Sequence, residues 1–406
     1  MNKTPKKATI EDRDSSKKIA VVLGMHRSGT SVITRSLQEL GVSLGDNLIP
    51  PVEGVNDKGF FEDIEINAVN IELMGLLGQD WYSLIPLSKD WFLSEQHSQL
   101  KMKAIEILRR KLDDIDFFGI KDPRMCRLLP FWKSVFEHLN VRVFYIIAIR
   151  NPLSVTRSLE KVHKLPVIKS YYLWLEHVVS SVQSTYGENR IIVDYDLFMG
   201  DSVKELRRMA DTIGWQKKVT KKSLKDFDEE FLDAKLRHTA FELEDVFIDP
   251  DVPAPVRDCY ALLRDTARDK VGTESPQISQ LFERLSEQKD GVRQLMKYVE
   301  SVERLTNESQ HRVDEKNSQL ASAENELKFQ GKKLHLVQAE QSVLKAELQQ
   351  RFTELATLTE LVETERSEKE QLQTAQAATS EELQQRFTEL ATLTELVETE
   401  RSEKEQ

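Results

Sequence analysis

Residues 18–40, KIAVVLGMHRSGTSVITRSLQEL, constrain the fold more than any other stretch of the chain. An apolar run with no polar alternation passes into a turn bracketed by Gly24 and Gly29. A helical pattern follows at once and stops at Gly41. A strand without polar alternation is covered on both faces, which is the condition of a parallel sheet with helices on each side. A glycine turn that opens directly into a helix presents backbone N–H groups to an anion.

The rest of the first 275 residues agrees with that architecture. Strands are predicted over 117–121, 141–150 and 189–195, and helices over 64–77, 94–115, 124–139, 153–164, 167–186 and 203–213. Asp122-Pro123 and Asn151-Pro152 each place a capping side chain before a proline suited to the first helical position. Irregular helices are expected to finish the domain over 216–275. The predicted fold class is α/β, a mainly parallel sheet flanked by helices, followed by a long C-terminal α-helical coiled coil.

Composition breaks at Pro276. All twelve Pro and all five Trp lie at or before it, and beyond it only Gly291 and Gly331 interrupt a helix-forming sequence. Counting by sevens from Ile278 to Val397, fourteen of eighteen positions are apolar, the sustained stripe of a left-handed coiled coil. Residues 347–371 recur identically at 382–406, an offset of five heptads that keeps the register. The expected organisation is a polar tail at 1–17, an α/β domain at 18–275 and a coiled coil at 276–406. One apolar seam calls for self-association or for a partner helix.

The net charge of −11 belongs mostly to that tail, where 17 Lys+Arg face 26 Asp+Glu; no basic nucleic-acid footprint is present at this level. No run approaches the ~20 apolar residues of a membrane helix. The basic, polar N-terminus lacks the apolar segment of a secretory signal. Cys126 and Cys259 alone give neither a disulfide framework nor zinc spacing. Together these features predict a cytoplasmic protein with no transmembrane segment and no nucleic-acid partner.

Gly24 and Gly29 are spaced as in the nucleoside-triphosphate loop G-x-x-x-x-G-K-[ST], but Thr30 occupies the lysine position and Ser31 follows. A triphosphate needs that lysine, so a small-molecule kinase is disfavoured. The positive charge sits at Arg27 instead, just before a helix start, where it opposes the helix dipole and calls for an anion. The pattern G-M-H-R-S-G-T-S resembles the sulfonate-binding loop of the sulfotransferase family, above all bacterial members. Arg150 at the end of the strand over 141–150, with Ser158 eight residues on, is similar to that family's 3′-phosphate clamp. NDKGFFE at 56–62 and GIKDPR at 119–124 are similar to two further segments of bacterial members.

The resemblance implies a fold related to P-loop nucleotide-binding proteins and the donor 3′-phosphoadenosine 5′-phosphosulfate (PAPS) as co-substrate, with no metal. It assigns His26, Arg27, Ser28, Gly29, Thr30, Ser31, Arg150 and Ser158 to donor binding. Arg27 would also act on the leaving phosphate, and Glu62 would be the general base. Lys121 and Arg124 are read equally as contacts to donor or anionic acceptor and as surface charge. Asp122 is read as a helix cap, and KLRH at 235–238 as a cover for the adenosine side. His163, His177 and His238 have no supporting context. The acceptor, a hydroxyl or amine, is expected on a carbohydrate or lipid. The competing readings are a kinase and a non-catalytic scaffold built on the coiled coil.

Overall fold

The computed structural model describes residues 17–52, 56, 58–87, 91–93, 95–214, 227, 241–361 and 366–404. Four strands, β1 (Lys18–Leu23), β2 (Phe117–Lys121), β3 (Arg142–Ile149) and β4 (Arg190–Asp194), form one parallel sheet in the order β2-β1-β3-β4. Every residue of β1, β2 and β4 is buried. Alternate residues of the strands feed two separate cores. Ile19, Val21, Leu23, Ile147 and Ile149 face a large core that includes Trp132 and Trp174. Ala20, Val22, Ile146 and Ala148 face a smaller one with Ile33, Leu37, Leu206 and Met209. Helices thus cover both faces, as the unalternating strand β1 requires.

The helices are α1 (Thr30–Ser36), α2 (Ile64–Leu76), α3 (Glu95–Lys111), α4 (Met125–His138), α5 (Pro152–His163), α6 (Val167–Ser184), α7 (Tyr195–Gly200) and α8 (Ser202–Ile213). The first helix is shorter than its sequence pattern, because Leu37–Leu40 tightens into a 3-10 turn before Gly41 turns left-handed at φ 75°. Asn151 caps α5 as expected, its side chain accepting from Leu153 N at 3.0 Å. Asp122 behaves differently from the predicted cap. Its carboxylate takes Arg124 N at 2.9 Å while its carbonyl takes Met125 N, so a turn intervenes and α4 starts at Met125. Beyond the KLRH segment, which lies outside the described residues, helices Leu243–Ile248 and Ala254–Ala267 complete the domain.

The composition break at Pro276 is not the edge of the packed unit. Ile278, Phe282 and Leu285, on helix Pro276–Gly291, are buried in the large core. Gln183 Nε2 on α6 donates to Phe282 O at 2.9 Å. The compact unit runs to Thr306 and a second begins at Asn307. An apolar stripe reads alike whether it packs on its own domain or on another helix, and here its first turns pack at home. In the second unit, residues up to Leu361 and Arg366–Lys404 are α-helical. The seam residues Val313, Leu320, Leu327 and Leu334 are exposed in the single chain.

Candidate functional site

In open parallel sheets, ligands bind beyond the carboxyl ends of the strands where the strand order reverses. Here that point lies between β1 and β3, since the chain runs from β1 to β2 on one side and then returns to β3 on the other. The carboxyl ends supply the loop after β1, Lys121 at the end of β2, Arg150 after β3 and Tyr195 after β4. All of them line one cleft of about 420 Å³.

The loop after β1 is fixed by its backbone. Gly24 has φ 156°, and a Cβ there would sit 2.6 Å from Ala148 O and 2.8 Å from Thr30 Cγ2. Its N–H donates to Cys126 Sγ at 3.0 Å. Arg27 adopts the left-handed conformation at φ 68°, uncommon for a residue with a side chain and a mark of local strain held by the surroundings. Gly29 follows at φ 80°, against the Tyr195 ring: a Cβ would lie 2.0 Å from it, so no other residue fits without moving β4's exit. Gly29 is the N-cap of α1 and has no side chain to satisfy the first N–H groups.

Three side chains singled out in the sequence meet at this loop. Arg27 Nε donates to Ser158 Oγ at 2.8 Å, and Arg150 Nη1 donates to Arg27 O at 3.1 Å. Arg150 also lies over the Tyr195 ring, 4.5 Å from its centroid. Burial first, and then the Arg150 charge, lowers the pKa of Arg27. Two guanidinium groups this close repel each other, and a bound anion would relieve the repulsion. Arg150 Nε, Ser154 Oγ, Ser28 Oγ and His26 Nδ1 are buried without a hydrogen-bond partner. Orphaned buried polar groups are costly unless a ligand or water completes them. Arg150, Ser154 and His26 line the cleft and suit a group with several acceptor oxygens, whereas Ser28 does not line it.

The opposite wall is a polar chain centred on Glu62. The N-cap of α2 is Asp63, whose carboxylate accepts from Glu65 N and Ile66 N, so Glu62 is not the helix-start carboxylate its position suggests. It is buried, with Lys121 Nζ 2.6 Å from Oε1 and Asn67 Nδ2 3.1 Å from Oε2. Burial raises its pKa above the ordinary carboxylate range, and the Lys121 ammonium opposes that rise. Lys121 also reaches Phe60 O at 2.9 Å and Ser31 Oγ at 3.4 Å, and Asn56 Nδ2 donates to Ser31 Oγ at 3.1 Å. Asn56, Phe60 and Glu62 of the NDKGFFE segment, Lys121 of the GIKDPR segment and Ser31 at the start of α1 are therefore one network. Asp122 is also in it, taking Asn67 and Asn70 side-chain N–H groups. Arg124 pairs with Asp122 at 3.2 Å and does not line the cleft.

Sequence reading missed several residues of the cleft. Lys58, Arg157, Lys161 and His163 line it. Arg157 and Lys161 are four apart on α5 and flank Ser158, one residue before it and three after it. Charges at helix positions i and i+4 read as ordinary solvated surface until the preceding strand fixes which face of the helix meets the loop. His26 lines the cleft, its ring 4.3 Å from that of Trp81. Burial, then His177 and Arg124, lowers its pKa well below the usual histidine value. His177 lies behind it, pushed down to about 4 mainly by burial, so both rings are neutral at pH 7. His238 lies outside the described residues. No cluster of three or more His, Cys, Asp or Glu among the described residues is arranged to hold a metal ion. Cys126 and Cys259 are free and buried. No described helix is long and apolar enough to cross a membrane.

No family model matches the chain, and no curated protein matches it. Among solved structures the chain is similar to the sulfotransferase domain from the Synechococcus PCC 7002 olefin synthase. The two are 17% identical with a TM-score of 0.34, over 69% of this chain and 98% of that domain.

Proposed function

We propose that the chain is a sulfotransferase that moves a sulfuryl group from PAPS to a hydroxyl or amine of an acceptor. The observation that carries this reading is the convergence of Arg27, Arg150 and Ser158 on a glycine loop that has Thr30 in place of a triphosphate-binding lysine. PAPS supplies an activated sulfuryl group whose leaving group is a phosphate. In this reading the loop N–H groups with Thr30 and Ser31 hold the 5′-phosphosulfate, and Arg27 neutralises charge that grows on the departing phosphate oxygen. Arg150 and Ser158 hold the 3′-phosphate, and His26 completes the cradle. Glu62 accepts the acceptor's proton as the sulfur–oxygen bond to the phosphate breaks and the bond to the acceptor forms. Lys121 fixes Glu62 and contributes positive charge beside the transferring group. As in phosphoryl transfer, positioning and charge do most of the work. A carbohydrate or lipid is the acceptor class that the resemblance implies, and a cytoplasmic location belongs to the same reading.

Calorimetric titration tests the donor. The desulfated product 3′-phosphoadenosine 5′-phosphate should bind at least about tenfold more tightly than ATP, because it alone fills the Arg150–Ser158 clamp with a phosphate. Tighter binding of ATP, in a magnesium-dependent manner, would overturn the assignment in favour of a kinase.

The tail belongs to the same proposal as a self-associating coiled coil. A duplication at a five-heptad offset extends the seam in both helices of a pair of identical chains at once, whereas a different partner would gain no matching seam. The polar Thr306, Gln341, Lys369 and Gln376, the other four of the eighteen seam positions, set register at some cost in stability. The full chain should sediment as a dimer. A chain ending at Thr306, which keeps the buried Ile278, Phe282 and Leu285, should sediment as a monomer. Two monomers in that comparison would assign the seam to an outside partner.

A further inference from the structure

The segment after α2, residues 79–87, carries Trp81, whose ring packs 4.3 Å from His26 and 5.1 Å from His163, two residues of the cleft. The segment has no regular secondary structure, so its shape depends on what its polar groups meet. From behind, the buried Arg127 of α4 donates to Ser83 O at 3.0 Å, Ile85 O at 2.7 Å and Gln79 Oε1 at 2.6 Å. From the front, a single carboxylate oxygen of Glu300 accepts from Ser83 Oγ at 2.7 Å, from Ile85 N at 3.2 Å and from Leu84 N. Carbonyls thus point at a cation and amides at an anion. That is a matched arrangement for an irregular backbone, made of the stronger, charge-assisted kind of hydrogen bond.

Glu300 belongs to the helix Arg293–Leu361, far from the loop in sequence. Its neighbours on the same helix reinforce the grip. Arg293 Nη2 donates to Leu87 O at 3.2 Å, and Glu303 takes Lys169 Nζ at 2.5 Å. Lys169 in turn sits 5.4 Å from the centroid of the Tyr82 ring. A solvated helix face would scatter its charges, whereas these three meet one short segment and the helix beside it.

We infer that Glu300 is a positioning residue: it fastens the segment 79–87 and thereby seats Trp81 against His26 and His163, so that the first turns of the tail helix shape the cleft. The inference rests on the sulfotransferase reading only where donor affinity is the readout. It also ties the helix that carries the coiled-coil seam to the wall of the site.

The test uses the full chain with Glu300→Ala, Glu300→Gln, Trp81→Ala and the double variant Glu300→Ala/Trp81→Ala. In Glu300→Ala, amide exchange at Leu84 and Ile85 should quicken roughly tenfold or more, and Trp81 emission, taken as the difference from Trp81→Ala, should shift to the red. Glu300→Gln, which keeps the shape and an acceptor oxygen, should fall between. Affinity for 3′-phosphoadenosine 5′-phosphate should drop by a similar factor in each single variant and no further in the double, because the two residues act in series. Unchanged exchange and emission in Glu300→Ala would overturn the inference, and so would additive losses in the double variant. A wild-type chain that does not bind the nucleotide sinks the sulfotransferase reading instead, while exchange and emission still decide the role of Glu300.

Discussion

Glu62→Gln is expected to lower turnover roughly 10²–10⁴-fold and to leave donor affinity unchanged. Gln keeps the volume and an acceptor for Asn67 Nδ2 but cannot take a proton. The separation of the two effects follows from the site's layout. Glu62 stands on the Lys121 wall of the cleft, and the Arg27–Arg150–Ser158 cluster forms the other. A buried carboxylate beside an ammonium at 2.6 Å is held in one orientation, which a general base needs and an exposed glutamate lacks. Burial nevertheless raises its pKa, so the protonated, inactive form persists above the ordinary carboxylate range. Activity carried by the ionised form should therefore rise with pH through that raised value, and the acid limb should vanish in Glu62→Gln. Removing the charge also leaves the buried Lys121 ammonium without its counter-charge, with Phe60 O and Ser31 Oγ as its remaining acceptors, which costs stability. Thermal unfolding should accordingly be recorded beside the rates. A Glu62→Gln chain that stays folded and turns over normally would return Glu62 to a structural partner of Lys121.

The readability of this chain follows its local physics. Strand β1, the glycine loop and the cap at Asn151 were legible because each is decided by neighbours in sequence: unbroken apolar residues, positive-φ glycines, a side chain that reaches two residues ahead. The resemblance named Arg27 and Ser158 separately, Arg27 for the 5′ end of the donor and Ser158 with Arg150 for the 3′-phosphate, and no spacing rule foretold that Arg27 would itself donate to Ser158 across 131 positions. Trp81, Arg127 and Glu300 were not legible at all. Their roles depend on which surfaces the folded chain brings together, and a glutamate in a heptad tail reads as solvated surface. The edge of the domain failed for a related reason. Ile278 and Leu285 keep the seven-residue period of the tail while packing on α6 and the core, and period alone does not say what a stripe packs against.

In the second large effect, removing the 3′-phosphate from the nucleotide is expected to weaken binding roughly 10–150-fold for each charge-assisted bond lost. Arg150→Ala should abolish most of that discrimination. Arg150 is buried, its position is set by Tyr195 beneath it and by the Arg27 carbonyl, and its Nε has no partner within the protein. A guanidinium with a free edge and a fixed plane is prepared for a phosphate, and little side-chain freedom remains to be lost when one binds. Arg150→Lys keeps the charge but neither the fork nor the stacking on Tyr195, so it should recover only part of the discrimination. Ser158→Ala removes one hydroxyl that now accepts from Arg27 and should cost less than the loss of Arg150. Affinity for adenosine 5′-phosphate, which lacks the group, should scarcely change in Ser158→Ala. The three variants and two nucleotides form a closed set of titrations. If wild type binds both nucleotides equally, the 3′-phosphate is not what Arg150 and Ser158 hold. If Arg150→Ala weakens both nucleotides by the same factor, Arg150 supports the loop through the Arg27 carbonyl and does not touch the ligand.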